Sequence, residues 1–313
     1  MNLDLSDEQS QILDAAEALL QAEYPLSRLR SGAAEDLTRL VEFGLFGLGL
    51  AGEDGSDLLT EALLHARLGR HLLTPSTLAA AVAARLAAQA GDDALASRIA
   101  DGALPVSAGV ATGGDLLLCD APGATMAVWR EGDTLRWGPC DSGAAAPPAG
   151  GGLPLTRTPR PAGAATAPSA PWQLLVAAQL LGTAEAALDL SVAYARTREQ
   201  FGRPIGAFQA IKHHCADMAL GVAMVSAQLD FAALALEAGQ EDADFQIAAL
   251  ARLAPRIALR NARMAIQIHG GIGFSDEADA HLILKQAHRL GQLLLPADLM
   301  ALDAPLTPLN RSS

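Results

Sequence analysis

Apolar residues recur along this chain with two different periods, and the change of period divides it into three zones. From Ser6 onward the spacing is helical. Ile12, Leu13, Ala16, Leu19 and Leu20 fall three and four residues apart, on one face of a helix. The Ser6 hydroxyl can accept from free N–H groups, and Asp7 and Glu8 complement the dipole, so a helix is predicted to start there. Phe43 to Leu50 is an apolar, glycine-punctuated segment, followed by the turn Gly52-Glu53-Asp54-Gly55-Ser56. Two further helices are predicted near 57–71 and 76–101, the second broken at Gly91-Asp92-Asp93.

Beyond about residue 103 the pattern shortens. Leu116 to Cys119, Met126 to Trp129 and Thr134 to Trp137 are predicted as short strands joined by tight turns. Residues 138–171 hold 23 Gly, Pro or Ala among 34, including eight of the seventeen prolines. Proline lacks the N–H that helices and central strands need, so this stretch is expected to end a small, loose β layer as a linker. Helical spacing then returns over 172–198, 208–239, 243–269 and from 277 to about 295, where Pro296 stops it. Long helices joined by short turns predict an antiparallel bundle. The expected fold is mainly α: an N-terminal all-α domain over 1–103, a reduced β middle domain with its linker over 104–171, and a C-terminal four-helix domain over 172–313.

Composition narrows the possible functions. The chain has 313 residues, half of them hydrophobic, so it can bury a core. Its formal charge is −13, with most of the acidic excess in residues 1–103, which disfavours nucleic acid and anionic membranes as partners. The start of the chain lacks a signal-peptide pattern. The longest apolar stretch, Leu174 to Thr183, is interrupted by Gln179, so no membrane span is expected. Cys119, Cys140 and Cys215 are widely spaced and form no CxxC, which points to a reducing, cytoplasmic setting and gives no metal-ligand pattern.

Two segments carry candidate chemistry. In Arg198-Glu199-Gln200-Phe201-Gly202-Arg203-Pro204-Ile205-Gly206-Ala207-Phe208-Gln209 one helix ends and another begins. Guanidinium groups beside free backbone N–H groups suit a diphosphate, and Phe201 and Phe208 could pack on a planar ring. Arginines at a helix end are also favoured by the dipole alone. In Gln267-Ile268-His269-Gly270-Gly271-Ile272-Gly273-Phe274, three glycines allow close backbone approach to a ligand, or simply a helix C-cap. From the residues alone both readings stand for each segment.

Taken together, Arg-x-x-Phe-Gly…Phe-Gln and Gln-Ile-His-Gly-Gly-Ile-Gly-Phe, with Ala216-Asp217-Met218 between them, resemble the C-terminal domain of acyl-CoA dehydrogenases. The Leu-Ser-Asp-Glu-Gln start and Gly44-Leu45-Phe46-Gly47-Leu48 are similar to that family's N-terminal domain. The resemblance implies FAD and oxidation of an acyl-CoA thioester to the 2,3-enoyl product, with a glutamate removing the α-proton. It implies that Arg198, Phe201, Gln209, Gln267, Gly270 and Gly271 contact the FAD of a neighbouring subunit.

The resemblance also implies two places for the glutamate, and neither holds a carboxylate. One corresponds to Leu294, within Leu290-Gly291-Gln292-Leu293-Leu294-Leu295-Pro296-Ala297, and the other to Trp172, followed by Gln173. The family's flavin-ring segments in the middle domain have no counterpart here, and Trp129 and Trp137 are expected in the core. No catalytic residue is therefore assigned. What remains would serve a neighbour's FAD. This is similar to the non-catalytic subunit of α2β2 bacterial acyl-CoA dehydrogenases of steroid side-chain degradation, as is Glu277-Ala278-Asp279-Ala280-His281-Leu282-Ile283-Leu284-Lys285. On that reading the partner is a catalytic acyl-CoA dehydrogenase subunit, which binds most of the acyl-CoA and shares its FAD with this chain. Two alternatives stay open: a scaffold of the same fold without flavin, and a homomeric enzyme with a displaced base such as Asp298. Glu185 and Asp189 are expected to be solvated or to face a partner.

Overall fold

The computed structural model describes residues 5–31, 35–50, 57–119, 123–131, 134–141, 155–161 and 164–294. Ser6 caps α1 (Asp7–Glu23): its Oγ accepts from the Gln9 N–H at 3.1 Å, and the Gln9 side chain accepts from the Ser6 N–H at 2.7 Å. The Gln9 amide also donates to Asp57, which caps α3 (Leu58–Arg70), so the two helix starts are tied together. Between them lie the short α2 (Thr38–Glu42) and a 3-10 turn, Leu45–Gly47, whose Leu45 and Phe46 are buried. α4 (Ser76–Gln89) and α5 (Asp93–Ala100) are separated at Gly91, where φ is +80°, and Asp92 caps the second of them. The turn at 52–56 lies outside the described residues.

The β zone is larger than its sequence suggests. β1 (Val106–Thr112), β2 (Asp115–Cys119), β3 (Met126–Glu131), β4 (Thr134–Pro139), β5 (Leu155–Pro159) and β6 (Ala165–Pro168) form one sheet in the order β5-β2-β1-β3-β4-β6. β1 and β3 are parallel, and every other pair is antiparallel. The expectation of a linker over all of 138–171 is therefore corrected, because that stretch supplies both edge strands. An edge strand needs ladder donors on one side only, and Pro159 and Pro168 close their strands at terminal positions. Residues 142–154 of the expected linker lie outside the described residues. β1 escaped prediction because most of its residues are small and its first four are all buried, which removes the alternation that marks a half-exposed strand.

One face of the sheet joins the helical core through Val106, Ala108, Val128, Leu135 and Trp137. The other face holds a small separate cluster of Leu116, Leu118, Ala124, Ala127 and Trp129. Both tryptophans are core residues, as expected.

The C-terminal helices are α6 (Ala170–Thr197), α7 (Gln209–Glu237), α8 (Ala243–His269) and α9 (Ala280–Leu293). A hairpin of β7 (Glu199–Gln200) and β8 (Arg203–Pro204) separates α6 from α7. α6 is the central element, nearly all buried from Trp172 to Ala187, and one continuous core runs through all three zones. α6 and α7 are both long and apolar enough to cross a membrane, but the apolar window of α6 is 72% buried inside this fold. That of α7 is only 33% buried.

α3 and α6 cross backbone to backbone. A Cβ at Gly182 would overlap the Ala66 carbonyl oxygen, and one at Gly69 would overlap the Gln179 carbonyl oxygen. Neither obstacle is a movable side chain, so Gly182→Val must push the helices apart. It is expected to lower the unfolding free energy by about 3 kcal/mol, which urea denaturation would measure.

Candidate functional site

α6 ends where Arg198 adopts an extended conformation, with its N–H donating to the Tyr194 carbonyl at 2.8 Å. The Arg198 carbonyl accepts from the Ile205 N–H, also at 2.8 Å. The backbone is thus fixed on both sides, while the guanidinium is exposed and forms no ion pair among the described residues. The hairpin that follows turns on Phe201 (φ +54°) and Gly202 (φ +75°). Two left-handed residues suit a two-residue hairpin, but a phenylalanine in that conformation is strained. Its ring is 91% exposed. It meets Phe208 edge-on with centroids 6.1 Å apart, and the Arg203 guanidinium lies 4.3 Å over the Phe208 ring. Gln209 is the exposed first residue of α7, whose N-terminus has no side-chain cap. Arg196, Arg198, Arg203 and Lys212 are all exposed in and beside the segment that joins α6 to α7, and α7 opens without a side-chain cap, a combination suited to a diphosphate.

The second segment ends α8. Gln267 lies exposed in the last turn, and Gly270 caps the helix at φ +64°, ψ −141°, a conformation confined to glycine. At Gly273 a Cβ would lie 2.7 Å from the Ile266 carbonyl oxygen, so the fold requires glycine there as well. Gly271 has neither constraint. It is exposed, and a Cβ there would meet nothing within 4 Å. The plain C-cap reading accounts for Gly270 and Gly273 and leaves Gly271 unexplained.

The two segments share one end of the bundle. Tyr194, one turn before Arg198, stacks on His269 with ring centroids 4.2 Å apart and 22° between planes. Neither ring was singled out from the sequence, although each lies within four residues of a candidate. All six expected contact residues, Arg198, Phe201, Gln209, Gln267, Gly270 and Gly271, are exposed at this end. Phe274 is exposed there too, at 79%.

The two places expected for a base meet at the other end of α6. Trp172 is fully buried, and its indole N–H donates to the Leu293 carbonyl at 3.2 Å. Leu294 is 1% exposed, and its carbonyl accepts from Arg130 Nη1 at 2.7 Å. An indole and a leucine thus fill this junction. Neither can remove a proton from carbon. Asp298 lies outside the described residues. Asp189 is exposed, as expected, and it also pairs with Arg70 of α3 at 2.7 Å. Glu185 lies beside the same charges. Burial pushes its carboxyl upward, and Arg67 and Arg70 pull it back.

A separate polar cluster is buried between α3, α4 and α6. Glu61 pairs with Arg85. The Gln179 amide donates to His65 Nδ1 at 3.2 Å and to Thr77 Oγ1 at 3.1 Å. Burial, then the charge of Arg85, lowers the His65 pKa to about 3. His65 is therefore neutral in the folded protein near neutral pH. Below pH 6.5 the unfolded chain takes up a proton that folded His65 refuses, so stability present above that pH is lost on acidification. The loss is about 1.4 kcal/mol per pH unit. His65→Gln should therefore lose about 2 kcal/mol less than the parent between pH 7 and pH 5 in urea unfolding.

Comparison with known proteins gives the class. The family model "Acyl-CoA dehydrogenase, C-terminal domain" matches residues 172–291. Acyl-CoA dehydrogenase IpdE2 of Mycobacterium tuberculosis is 36% identical over 258 residues, covering 78% of this chain and 76% of that protein. This chain belongs to the acyl-CoA dehydrogenase family. Acyl-CoA dehydrogenase FadE34 of the same organism is 42% identical over 121 residues, which are 38% of this chain but 17% of that longer protein. The Tcur3481-Tcur3483 steroid acyl-CoA dehydrogenase shares the fold, with a TM-score of 0.77 at 21% identity over 95% of this chain and 96% of that one. So does the ChsE4-ChsE5 complex from Mycobacterium tuberculosis, with 0.75 at 20% over 97% of each. The mainly α architecture with a small sheet is thus that of acyl-CoA dehydrogenases, whose members are FAD-binding oxidoreductases.

Proposed function

We propose that this chain is the non-catalytic subunit of a heteromeric, FAD-dependent acyl-CoA dehydrogenase. One observation carries the reading: the filled base junction and the exposed Arg198 end lie at opposite ends of α6. Its 28 residues span about 40 Å. A single dinucleotide does not reach both. A flavin held at Arg198 therefore meets its base on another chain, and this chain's own base position is closed by Trp172 and Leu294.

The residues fit the diphosphate and adenine side of FAD. Arg198 would pair with phosphate, Phe201 would cover a ring, and Gln267 with Gly270 and Gly271 would line the approach. Bound FAD supplies the acceptor for the hydride leaving the β-carbon. The catalytic subunit contributes the glutamate and the contacts to the flavin ring, and binds most of the acyl-CoA. Similarity to a steroid acyl-CoA dehydrogenase and to a two-subunit complex supports a heteromer acting on a bulky, steroid-type CoA ester.

Co-expression with an acyl-CoA dehydrogenase subunit that retains the catalytic glutamate tests this reading. The two chains are expected to purify together with bound flavin. If the partner carries the same flavin and turnover without this chain, the reading is wrong.

A further inference from the structure

We propose that the face of the sheet turned away from the helices holds a binding site for a small oxyanion, a carboxylate or phosphate group, beside the guanidiniums of Arg136 and Arg160. The site is independent of the subunit role.

Strand pairing builds it. Trp129 and Glu131 are two residues apart on β3, and Arg136 of β4 lies directly opposite Trp129, so the three side chains share one face. On that face Trp129 packs with Leu116, Leu118, Ala124 and Ala127, apart from the helical core. Arg160 and Pro161, just beyond β5, and Ala164, just before β6, complete the wall. These six residues line a cavity of about 210 Å³. A water molecule's share of liquid volume is about 30 Å³, so there is room for a ligand of several non-hydrogen atoms.

The lining selects an anion. Each oxygen of Glu131 accepts from a different arginine, from Arg160 Nη1 at 2.5 Å and from Arg136 Nε at 3.0 Å. Arg136 Nη1 also donates to the Ala164 carbonyl at 3.3 Å. One carboxylate thus faces two guanidiniums, and the cavity keeps one positive charge in excess. The side chains of both arginines are only 35% exposed, so the fold holds them at the cavity and does not leave them spread in solvent. Arg136 Nη2 and Arg160 Nε and Nη2 have no acceptor among the described residues.

A surface ion-pair cluster accounts for the Glu131 contacts. It does not account for the indole. Trp129 is 1% exposed, and its buried Nε1–H donates to no group among the described residues. Buried donors are nearly always paired. A cation would meet the like charge of the arginines. An oxyanion offers acceptors to the guanidinium edges and to the indole, and it neutralises the excess charge. Pro161, Ala164 and the Trp129 ring leave apolar surface for a short body attached to it.

The test follows the indole N–H signals of the three tryptophans by NMR while the full chain is titrated with inorganic phosphate or with acetate, at constant ionic strength. The Trp129 signal, identified by its loss in Trp129→Phe, should move with a Kd in the millimolar range, and those of Trp137 and Trp172 should stay. Arg160→Ala should weaken binding about tenfold, and Glu131→Gln, which removes the competing anion, should strengthen it about threefold. Tighter binding of phosphate than of acetate makes the ligand a phosphate, and the reverse order makes it a carboxylate. No movement of the Trp129 signal up to about 0.1 M of either anion overturns the site. Equal binding by Arg160→Ala and the parent overturns it as well, since the effect is then one of salt in general.

Discussion

Arg198→Ala in the assembled enzyme is expected to weaken FAD binding about 10- to 100-fold and to leave the isolated chain as stable as the parent. The Arg198 side chain is in solvent and makes no ion pair among the described residues, so its removal takes nothing from this fold. Its backbone, bonded to Tyr194 and Ile205, keeps the same path with alanine. A charge-assisted hydrogen bond to phosphate contributes about 1.5–3 kcal/mol, which is the stated change in affinity. Arg198→Lys should recover part of it, because an ammonium keeps the charge but not the two-pronged geometry. Flavin fluorescence during titration of the apo complex measures the affinity, and thermal unfolding of the free chain measures the stability. An unchanged affinity would favour a scaffold that never meets flavin.

Trp172→Ala is expected to have the opposite signature, a loss of about 3–5 kcal/mol of stability in the isolated chain. The indole is wholly buried where α6 begins, and its N–H holds the carbonyl of Leu293 at the end of α9. Truncation leaves a cavity and an unpaired carbonyl. Trp172→Phe keeps most of the volume and should cost only about 1 kcal/mol for the lost hydrogen bond. If the indole occupies the place of a catalytic group without replacing its chemistry, turnover of complex that still assembles should be unaffected by Trp172→Phe. Urea unfolding and turnover with a saturating acyl-CoA separate the two effects.

The helical parts of this protein were legible because their signals are local. Ser6 caps its helix, Gly91 breaks α4 from α5, and the predicted span 243–269 is α8 itself. The sheet was less legible because its evidence is tertiary. β5 and β6 are strands only because β2 and β4 offer them free edges, and no residue within them announces it. At the candidate site the sequence supplied the residue types, while the fold supplied their relation. The Tyr194–His269 stack joins two motifs some seventy residues apart in the chain. The same fold sets Trp172 against the end of α9, which closes both expected base positions with one side chain and one backbone turn. Asp189 is exposed, as its sequence suggests, but a carboxylate on a long helix gives no sign that Arg70 waits across an interhelical contact.

The most direct test of the subunit role is flavin stoichiometry, set beside turnover. With one intact ring-holding surface per catalytic chain, and this chain completing the diphosphate side, the complex should hold one FAD for every two polypeptides. The isolated chain should be colourless and inactive towards acyl-CoA. One FAD per polypeptide, or an isolated chain that is yellow and oxidises a CoA thioester unaided, would contradict the account.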